Sequence, residues 1–411
     1  MCIRDRDFLD GEDPFEDLNN DGLITLIRVS DPAGTFTESP DDRRVLIPAD
    51  LSKGQQGSYL VYTEGTDNDK DGLFNEDGPG GVNFNRNLTF NYEEFGVNAG
   101  LHPVSEPETK AVLDFLFDHF NIYATIAFGP QYNMGGSSES SERPGSVTRA
   151  SQSATADQSG MQGRNRVRKF TSTMKSDEVI SKLVSKEYLE ITGAGEAPAS
   201  VSSPGNFADW SYFHYGRYSF STPGWWFPAG KDENNDVAFL KYAAKNKLEN
   251  VFVPWTEIKH PDFPGKKTEV GGIKPFVTIN PPADTINDII ESHYRFIKAI
   301  AVMHPELEFL DTVVDDRGEN IYRLTLKVHN KGIFATCAEA GASNIWTRLM
   351  RLSLETSKGQ KVLSGKPVQN ISRLEGDSSA EFSWLIMGKG AVKITAGAAN
   401  TGTISTTMEL K

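Results

Sequence analysis

The chain has 411 residues, which is long enough for two or three domains, and 38% hydrophobic and 10% aromatic residues suffice for a sizeable core. Its net charge of −14 argues against a nucleic-acid-binding protein, because a surface that binds phosphates needs a basic face. The same charge argues against an anionic membrane surface, and no apolar run is long enough for a transmembrane segment. The two cysteines, Cys2 and Cys337, cannot form a disulfide framework or a zinc site of their own.

The first residues, "MCIRDRDFLDGED", are charged and lack the apolar core of a secretory signal peptide. They lead into an acidic loop without a first strand or helix. We therefore expect a fragment whose native N-terminus is missing, and "MCIRDR" resembles a non-native leader.

Two acidic clusters precede the first regular segment. In both, carboxylate and amide oxygens alternate and lead into a glycine turn, a pattern with which a short loop wraps a calcium ion. Neither cluster has the final glutamate of a full EF-hand loop, and a solvated acidic turn has the same pattern, so both interpretations stay open. The candidate calcium ligands are Asp17, Asn19 and Asp21 in the first cluster and Asp67, Asp69, Asp71 and Glu76 in the second.

Regular periodicity begins after Val82. The segment "SEPETKAVLDFLFDHF" predicts a helix in which Ser105 and Glu108 form a capping box. Its apolar face comprises Val112, Phe115, Leu116 and Phe120. The strand "NIYATIAF" follows, and a helix that feeds a strand indicates an α/β layer structure.

Residues 134–175 are rich in Ser, Gly, Gln and Arg, which predicts a long polar insertion. Further helices are predicted for "SDEVISKLVSKEYLEITG", "DVAFLKYAAKNK" and "TINDIIESHYRFIKAIAVMHPEL". The apolar face of the last helix comprises Ile286, Ile289, Ile290, His293, Phe296, Ile297 and Ile300.

After about residue 308, short alternating segments separated by Gly, Asn and Ser turns replace helical periodicity. Together the patterns predict an α/β fold with a mixed twisted sheet flanked by helices, followed by a small C-terminal antiparallel β-sandwich. We divide the chain into an α/β domain over residues 1–308 and an immunoglobulin-like β-sandwich over residues 309–411.

Four short motifs occur in a characteristic order: "GGVNFNRN", "SEPETKAV", a strand, and "DWSY" followed by "GRYSF". This order resembles the zinc carboxypeptidases related to carboxypeptidase A, over roughly residues 10–305. The resemblance implies that Asn85 and Arg86 hold the free carboxylate of a peptide. The chemistry agrees, because a guanidinium forms two parallel hydrogen bonds with a carboxylate.

The zinc chemistry of that family is not matched by the residues of this chain. The first two zinc ligands of the family lie in a His-x-x-Glu motif, which this sequence lacks, and the third falls near Gly129. The position of the catalytic glutamate falls on Pro223. Because catalysis there needs three protein ligands on zinc and a general base, we expect an inactive copy that keeps a pocket for a peptide or protein C-terminus.

Two alternatives stay open. One is an active zinc carboxypeptidase with a rearranged site, for which His214 is the best candidate residue. The other is a calcium-stiffened structural or adhesion module. Trp225 and Trp226 either line a ligand groove, since aromatic faces supply large contact areas, or fill the space left by the zinc centre.

Zinc is the cofactor of the family and calcium is the additional candidate here. Calcium loops and an appended sandwich lead us to expect a secreted, periplasmic or cell-surface protein. We interpret His293 and Glu269 as structural residues.

Overall fold

The computed structural model describes residues 15–68, 70, 72, 74–75, 82–134, 172–195, 197, 203–230 and 233–411. Most of the predicted polar insertion lies outside these residues, as do Cys2, Asp69, Asp71 and Glu76.

The described residues form sixteen strands and six α-helices. The first eight strands are β1 (Leu26–Ser30), β2 (Phe36–Glu38), β3 (Leu46–Pro48), β4 (Tyr59–Thr63), β5 (Ala124–Phe128), β6 (Tyr218–Thr222), β7 (Phe252–Ile258) and β8 (Thr268–Ile273). The last eight are β9 (Leu307–Asp316), β10 (Ile321–Asn330), β11 (Met350–Thr356), β12 (Lys361–Ser364), β13 (Val368–Ile371), β14 (Ser378–Met387), β15 (Gly390–Ala398) and β16 (Gly402–Leu410). The helices are α1 (Pro107–Asp118), α2 (Asp177–Thr192), α3 (Phe207–Trp210), α4 (Asn235–Lys245), α5 (Ile286–Val302) and α6 (Glu339–Ala342). Shorter helical turns cover Leu51–Lys53, Phe84–Arg86 and the π-helical Ser211–Tyr215. The elements confirm a mixed α/β chain that ends in antiparallel sheets.

The parallel strands β5 and β6 form a middle layer with helices on both faces. Their register pairs Ala124 with Tyr218 and Phe128 with Thr222. Apolar side chains of α2 and α5 share one core with β6 on the first face. On the second face, the hydroxyl of Thr125 lies 2.8 Å from that of Ser211, where the π turn begins, and α1 packs against this region. Parallel strands are usually buried in this way between helices.

The strands β1 to β4, β7 and β8 form a separate six-stranded sheet, in the order β3-β2-β4-β1-β8-β7. At its centre the side chain of Arg28 donates to Glu269 at 2.8 Å, and both side chains are buried. The guanidinium also lies over the rings of Tyr59 and Trp255, at 5.0 and 4.6 Å. These contacts support the structural interpretation of Glu269.

The C-terminal part consists of two four-stranded antiparallel sheets, ordered β12-β14-β10-β9 and β13-β11-β15-β16. Their inner faces share one hydrophobic core. The period-two alternation of the sequence produces this packing, because alternate residues of a strand point to one face. In β10, for example, Tyr322, Leu324, Leu326 and Val328 are all buried.

A buried ion pair connects α2 to the C-terminal sheets. The carboxylate of Asp177, the first residue of α2, is fully buried and accepts a hydrogen bond from Arg373 at 2.8 Å. The Tyr212 hydroxyl and the Glu339 backbone N–H donate to the same carboxylate, at 2.6 and 2.9 Å. The charge of Asp177 is thus balanced by residues from both parts of the chain.

Helix α1 differs from its prediction at its start and on its apolar face. The predicted capping box is wrong: the N-cap is Glu106, which makes no side-chain cap bond. The reason is that the Ser105 hydroxyl donates to Glu106 and accepts from the Asn87 amide. On the predicted face Leu116 is buried, but Val112 and Phe115 are 39% and 57% exposed.

Helix α5 also buries one side of its predicted apolar face and leaves the other exposed. His293, Phe296 and Ile300 are buried. Three of the predicted residues, Ile286, Ile290 and Ile297, are 41%, 59% and 41% exposed. Among the residues that the structure describes, no helix has the length and apolarity that a membrane span would need.

Candidate functional site

The parallel strands β5 and β6 end side by side and bring Gly129 and Pro223 into one neighbourhood. Phe128 pairs with Thr222, and the backbone N–H of Gly129 donates to the carbonyl of Thr222 at 3.0 Å. Ligand sites in parallel α/β sheets form at the carboxyl ends of strands. The two positions that the resemblance assigns to the third zinc ligand and the catalytic glutamate therefore lie together at such an end.

The side chain of Asn85 lies beside the same strand end. A Cβ atom built at Gly129 would lie 3.6 Å from Asn85 Nδ2 and 3.5 Å from Gln131 Oε1. The Oδ1 atom of Asn85 accepts the backbone N–H of Phe207 at 3.1 Å, which assigns the amide orientation. The amide nitrogen of Asn85 is therefore directed towards Gly129.

The helical turn that carries Asn85 and Arg86 is fixed by the loop that follows it. The side chain of Arg86 is half-buried, and its Nη1 donates to the carbonyl of Val97 at 3.0 Å. The buried side chain of Asn87 donates to the carbonyl of Ala99 at 2.7 Å. Because a guanidinium carries several N–H donors in one plane, the bond to Val97 leaves it the capacity to bind a carboxylate.

The residues at the strand ends do not suit a zinc ion. Gly129 has no side chain, and the ring of Pro223 offers no atom that binds a metal or takes a proton. Within the described ranges, no group of three or more His, Cys, Asp or Glu side chains is arranged to hold a metal ion. We therefore derive no zinc chemistry for this site.

His214 is not brought to these strand ends. It lies on the π turn that precedes β6, whereas Pro223 follows β6, so the whole five-residue strand, about 16 Å long, lies between the two positions. Its ring lies 2.8 Å from the Thr89 hydroxyl and packs edge-on against Phe90. Its carbonyl accepts a hydrogen bond from Asn344 at 3.2 Å. His214 thus contacts the junction with the C-terminal sheets.

The two tryptophans face different neighbours. The ring of Trp226 lies 5.3 Å from that of Tyr132, which follows β5. The ring of Trp225 lies 6.1 Å from that of Tyr242 on α4. Burial raises the pKa of Tyr132 to about 12. Trp226 therefore belongs to the strand-end neighbourhood, and Trp225 packs towards α4.

A buried polar chain behind Pro223 was not predicted from the sequence. The Tyr188 hydroxyl lies 2.8 Å from the Thr222 hydroxyl and 3.2 Å from His293 Nε2. His293 Nδ1 lies 2.8 Å from the carbonyl of Ile289, so Nδ1 carries the proton and Nε2 accepts one from Tyr188. Burial raises the pKa of Tyr188, which keeps this hydroxyl protonated. The sequence contained one signal, a histidine within an apolar helix face, but no indication of its partner.

The first predicted calcium loop is closed by hydrogen bonds to its own side chains. The carboxylate of Asp17 accepts from the backbone N–H groups of Asp21 and Gly22, at 3.2 and 2.7 Å. Asn19 Oδ1 also accepts from Asp21, at 2.9 Å. These contacts are compatible with both interpretations of the loop, so calcium binding there stays a prediction.

The second acidic cluster is described in part. The backbone N–H of Asp67 donates to Asp262 at 3.0 Å, and the Asp67 carboxylate accepts from Gly72 at 3.2 Å. Because the other candidate ligands of this cluster lie outside the described residues, its geometry does not bear on calcium.

Two open clefts lie away from the strand ends. One, of about 500 Å³, has Arg44, Phe252 and Trp255 in its wall. The other, of about 430 Å³, has Tyr62 and Phe263 in its wall. Neither cleft is lined by Asn85, Arg86 or the residues that follow β5 and β6.

Comparison with known proteins bears on the C-terminal part. A family model described as a domain of unknown function, DUF8731, matches residues 306–409. No curated protein matches the chain. β-Glucosidase 3B of Thermotoga neapolitana is 17% identical, over 25% of this chain and 16% of that one, with a TM-score of 0.16. A GH3 β-glucosidase of Bifidobacterium adolescentis is 12% identical, over 26% of this chain and 17% of that one, also with a TM-score of 0.16.

DesR, a β-glucosidase from Streptomyces venezuelae, is 11% identical over 26% of this chain and 15% of that one, with a TM-score of 0.16. The chain thus spans between 15% and 17% of the length of these three structures. Likenesses at this level carry no argument about the fold or activity of this protein.

Proposed function

We propose that the first part of this chain is a zinc-carboxypeptidase-like domain that binds the free carboxyl end of a peptide or protein without hydrolysing it. The observation that carries the proposal is the amide of Asn85, whose nitrogen lies 3.6 Å from the Cβ position at Gly129. The two residues are far apart in the sequence, and the resemblance implies that they share one site.

The binding chemistry is that of a carboxylate held by an amide and a guanidinium. Arg86 follows Asn85 directly, and the turn that carries both is fixed by hydrogen bonds to Val97 and Phe207. Each side chain is held by its own hydrogen bond and therefore loses little conformational entropy on binding, so its contact with a ligand contributes to affinity. The side chain of Trp226, next to Tyr132, supplies an aromatic neighbour for the ligand.

The absence of hydrolysis in the proposal is based on the identities of Gly129 and Pro223. Neither residue can bind a metal or act as a general base, and hydrolysis of a peptide bond in this family needs both functions. A ligand bound by Asn85 and Arg86 would therefore be held and released unchanged.

The test is fluorescence anisotropy with a panel of labelled peptides that carry either a free or an amidated C-terminus. We expect binding of free carboxyl ends and a loss of at least about tenfold in affinity on amidation, since a charged hydrogen-bonded pair is removed. Arg86→Ala should cause the same loss, and the exposed Arg43→Ala serves as its matched control.

Equal affinity for free and amidated peptides would refute the proposal. Zinc-dependent release of the C-terminal residue from any peptide would instead favour the active carboxypeptidase.

A further inference from the structure

The side chain of Gln131, two residues after Gly129, is buried and only 7% exposed. Its Nε2 atom donates to the Ser203 hydroxyl at 3.4 Å, and that hydroxyl donates to the carbonyl of Asn85 at 3.0 Å. Because the hydroxyl has a single proton, which goes to Asn85, it must accept from Gln131. This assigns the nitrogen and the oxygen of the Gln131 amide, and leaves Oε1 on the other side.

Two polar atoms face the strand end at Gly129. Gln131 Oε1 lies 3.5 Å, and Asn85 Nδ2 3.6 Å, from the position of a Cβ atom at Gly129. Apart from Gly129 and its chain neighbours, no other atom of the described residues lies within 4 Å of that position. The two amide atoms are therefore no more than twice 3.6 Å apart, with no described side chain between them.

Both atoms are held in place but not used. The Asn85 amide is fixed by the backbone N–H of Phe207, and the Gln131 amide by Ser203. Within the described ranges, neither Oε1 of Gln131 nor Nδ2 of Asn85 takes part in a hydrogen bond. A buried amide whose acceptor has no partner is uncommon, because leaving it unpaired costs free energy. The arrangement indicates a ligand that supplies the missing partners.

The chemistry of the two atoms defines what each can bind. A carboxylate only accepts hydrogen bonds, and so does the oxygen of Gln131, so Gln131 cannot bind the carboxylate itself. Asn85 Nδ2 donates and suits a carboxylate oxygen. Gln131 Oε1 needs a donor of the same ligand close to that carboxylate. In a peptide the nearest such donor is the backbone N–H of the C-terminal residue, whose nitrogen is about 3 Å from the carboxylate oxygens.

We propose that Gln131 Oε1 accepts the backbone N–H of the ligand's C-terminal residue while Asn85 binds its carboxylate. The inference rests on the proposed function and deepens it by adding a residue that determines specificity. Hydrogen bonds of about 2.9 Å at the two ends of one amino-acid residue span the spacing of the two amide atoms. The site then recognises a terminal residue that is joined by an amide, and not a free-standing carboxylate.

The test compares the tightest-binding free-carboxyl peptide of the panel with its ester analogue, in which a hydroxy acid replaces the C-terminal amino acid. The ester keeps the carboxylate and the side chain but has an oxygen in place of the N–H. We expect the unmodified protein to bind the ester at least about tenfold more weakly, because two acceptors then face each other and Gln131 stays unpaired.

Gln131→Met removes the acceptor from a side chain of nearly the same length, so this variant should bind the peptide and the ester with equal affinity. The matched control is Gln56→Met, an exposed glutamine before β4, which should retain the full difference between the two ligands. The thermal midpoint of each variant checks that it is folded. If Gln131→Met fails to fold, the comparison of peptide and ester on the unmodified protein still decides the proposal.

The outcomes separate this inference from the proposed function. If amidation weakens binding but the ester binds as tightly as the peptide, the role of Gln131 is overturned and carboxylate binding stands. If amidation has no effect, or no peptide binds, both are overturned. A difference between peptide and ester that persists undiminished in Gln131→Met would also overturn the inference, because another acceptor would then receive the N–H.

Discussion

The guanidinium of Arg373 lies 2.8 Å from the buried carboxylate of Asp177 and joins the first turn of α2 to the C-terminal sheets. Burial alone would lower the pKa of Arg373, but hydrogen bonds and charge from Glu375 and Asp177 outweigh it and raise the pKa. Asp177 also stands at the N-terminus of a helix, where the backbone dipoles favour a negative charge.

Replacing Asp177 should therefore destabilise the whole chain. We expect Asp177→Ala to cost about 1–3 kcal/mol, because it leaves the buried Tyr212 hydroxyl and the Glu339 N–H without their acceptor and removes one of the two carboxylates that bind Arg373. Glu375→Ala is the matched control: Glu375 binds the same guanidinium at 2.8 Å, but its side chain is 55% exposed. An exposed pair contributes about 0–1 kcal/mol, so the control should change the urea midpoint little. Equal effects of both variants would contradict this account of the junction.

Breaking the buried polar chain should have a measurable cost. Tyr188→Phe removes the hydroxyl between Thr222 and His293, which leaves His293 Nε2 without its partner and Thr222 with the backbone N–H of Gly224 alone. We expect a loss of about 1–3 kcal/mol in unfolding free energy. Tyr294→Phe, at an exposed position of α5, should change it by less than about 0.5 kcal/mol. A Tyr188→Phe protein as stable as the control would show that the hydrogen bonds of Tyr188 to Thr222 and His293 contribute nothing to stability.

The strand end at Gly129 should accept a small side chain. A Cβ atom there meets its nearest atoms at 3.5 and 3.6 Å, which is ordinary contact, so Gly129→Ala should change stability by less than about 0.5 kcal/mol. Gly205→Ala is the contrasting variant. Gly205 has φ of +71°, and its Cβ would collide with the carbonyl of Arg86, so we expect a loss of about 1–3 kcal/mol. The thermal midpoints of both variants test these two expectations. A strongly destabilised Gly129→Ala would mean that a Cβ atom at Gly129 has closer neighbours than 3.5 Å.

Acid should weaken the six-stranded sheet through Glu269. Burial alone would raise the pKa of Glu269, but hydrogen bonds from Arg28 and Lys267 outweigh it and lower the pKa below its ordinary value of 4.5. A carboxyl with a lowered pKa stabilises the fold above its ordinary pKa, and this stabilisation is lost as the pH falls through the lowered value.

Glu269→Gln should therefore reduce stability near neutral pH and flatten its decline between about pH 5 and pH 2. Urea midpoints measured across that range test this expectation, with the exposed Glu355→Gln as the control. A variant whose acid decline matches that of the unmodified protein would contradict it.

Calcium binding by the two acidic loops remains a testable prediction. At a concentration 10- to 100-fold above the dissociation constant, calcium should stabilise the folded chain by about 1–3 kcal/mol. Asp17→Asn and Asp67→Asn assign any such effect to the first or second loop, because each removes one charged candidate ligand. The measurement is the thermal midpoint with calcium, with magnesium and with a chelator. No difference among the three would show that these are solvated acidic turns.

The elements that sequence periodicity predicted best are those that a single pattern defines. The predicted α2 begins at Asp177 and ends before Gly193, whose φ of 64° explains why the helix stops there. The alternation in β10 likewise corresponds to one buried face. These features depend on local chemistry and are visible in any short window.

What the sequence could not provide is the identity of the neighbours. Ile290 and Phe115 belong to apolar helix faces by spacing, yet they are exposed, because periodicity identifies an apolar side and not what covers it. Ser105 does not cap α1 because its hydroxyl binds Asn87, and the partner of His293 is Tyr188, which lies on another helix. The approach of Asn85 to Gly129 is similarly a tertiary contact, and here the motif order provided the expectation.

The position of Arg373 along the chain has a consequence for synthesis. Asp177 leaves the ribosome long before Arg373. Newly made α2 therefore carries the Asp177 carboxylate before its ion-pair partner Arg373 has been synthesised. Chains generally fold from the N-terminus as they emerge. Here, however, docking of α2 in its final place must wait until the chain has been made as far as Arg373, because burying the Asp177 carboxylate earlier would leave its charge uncompensated.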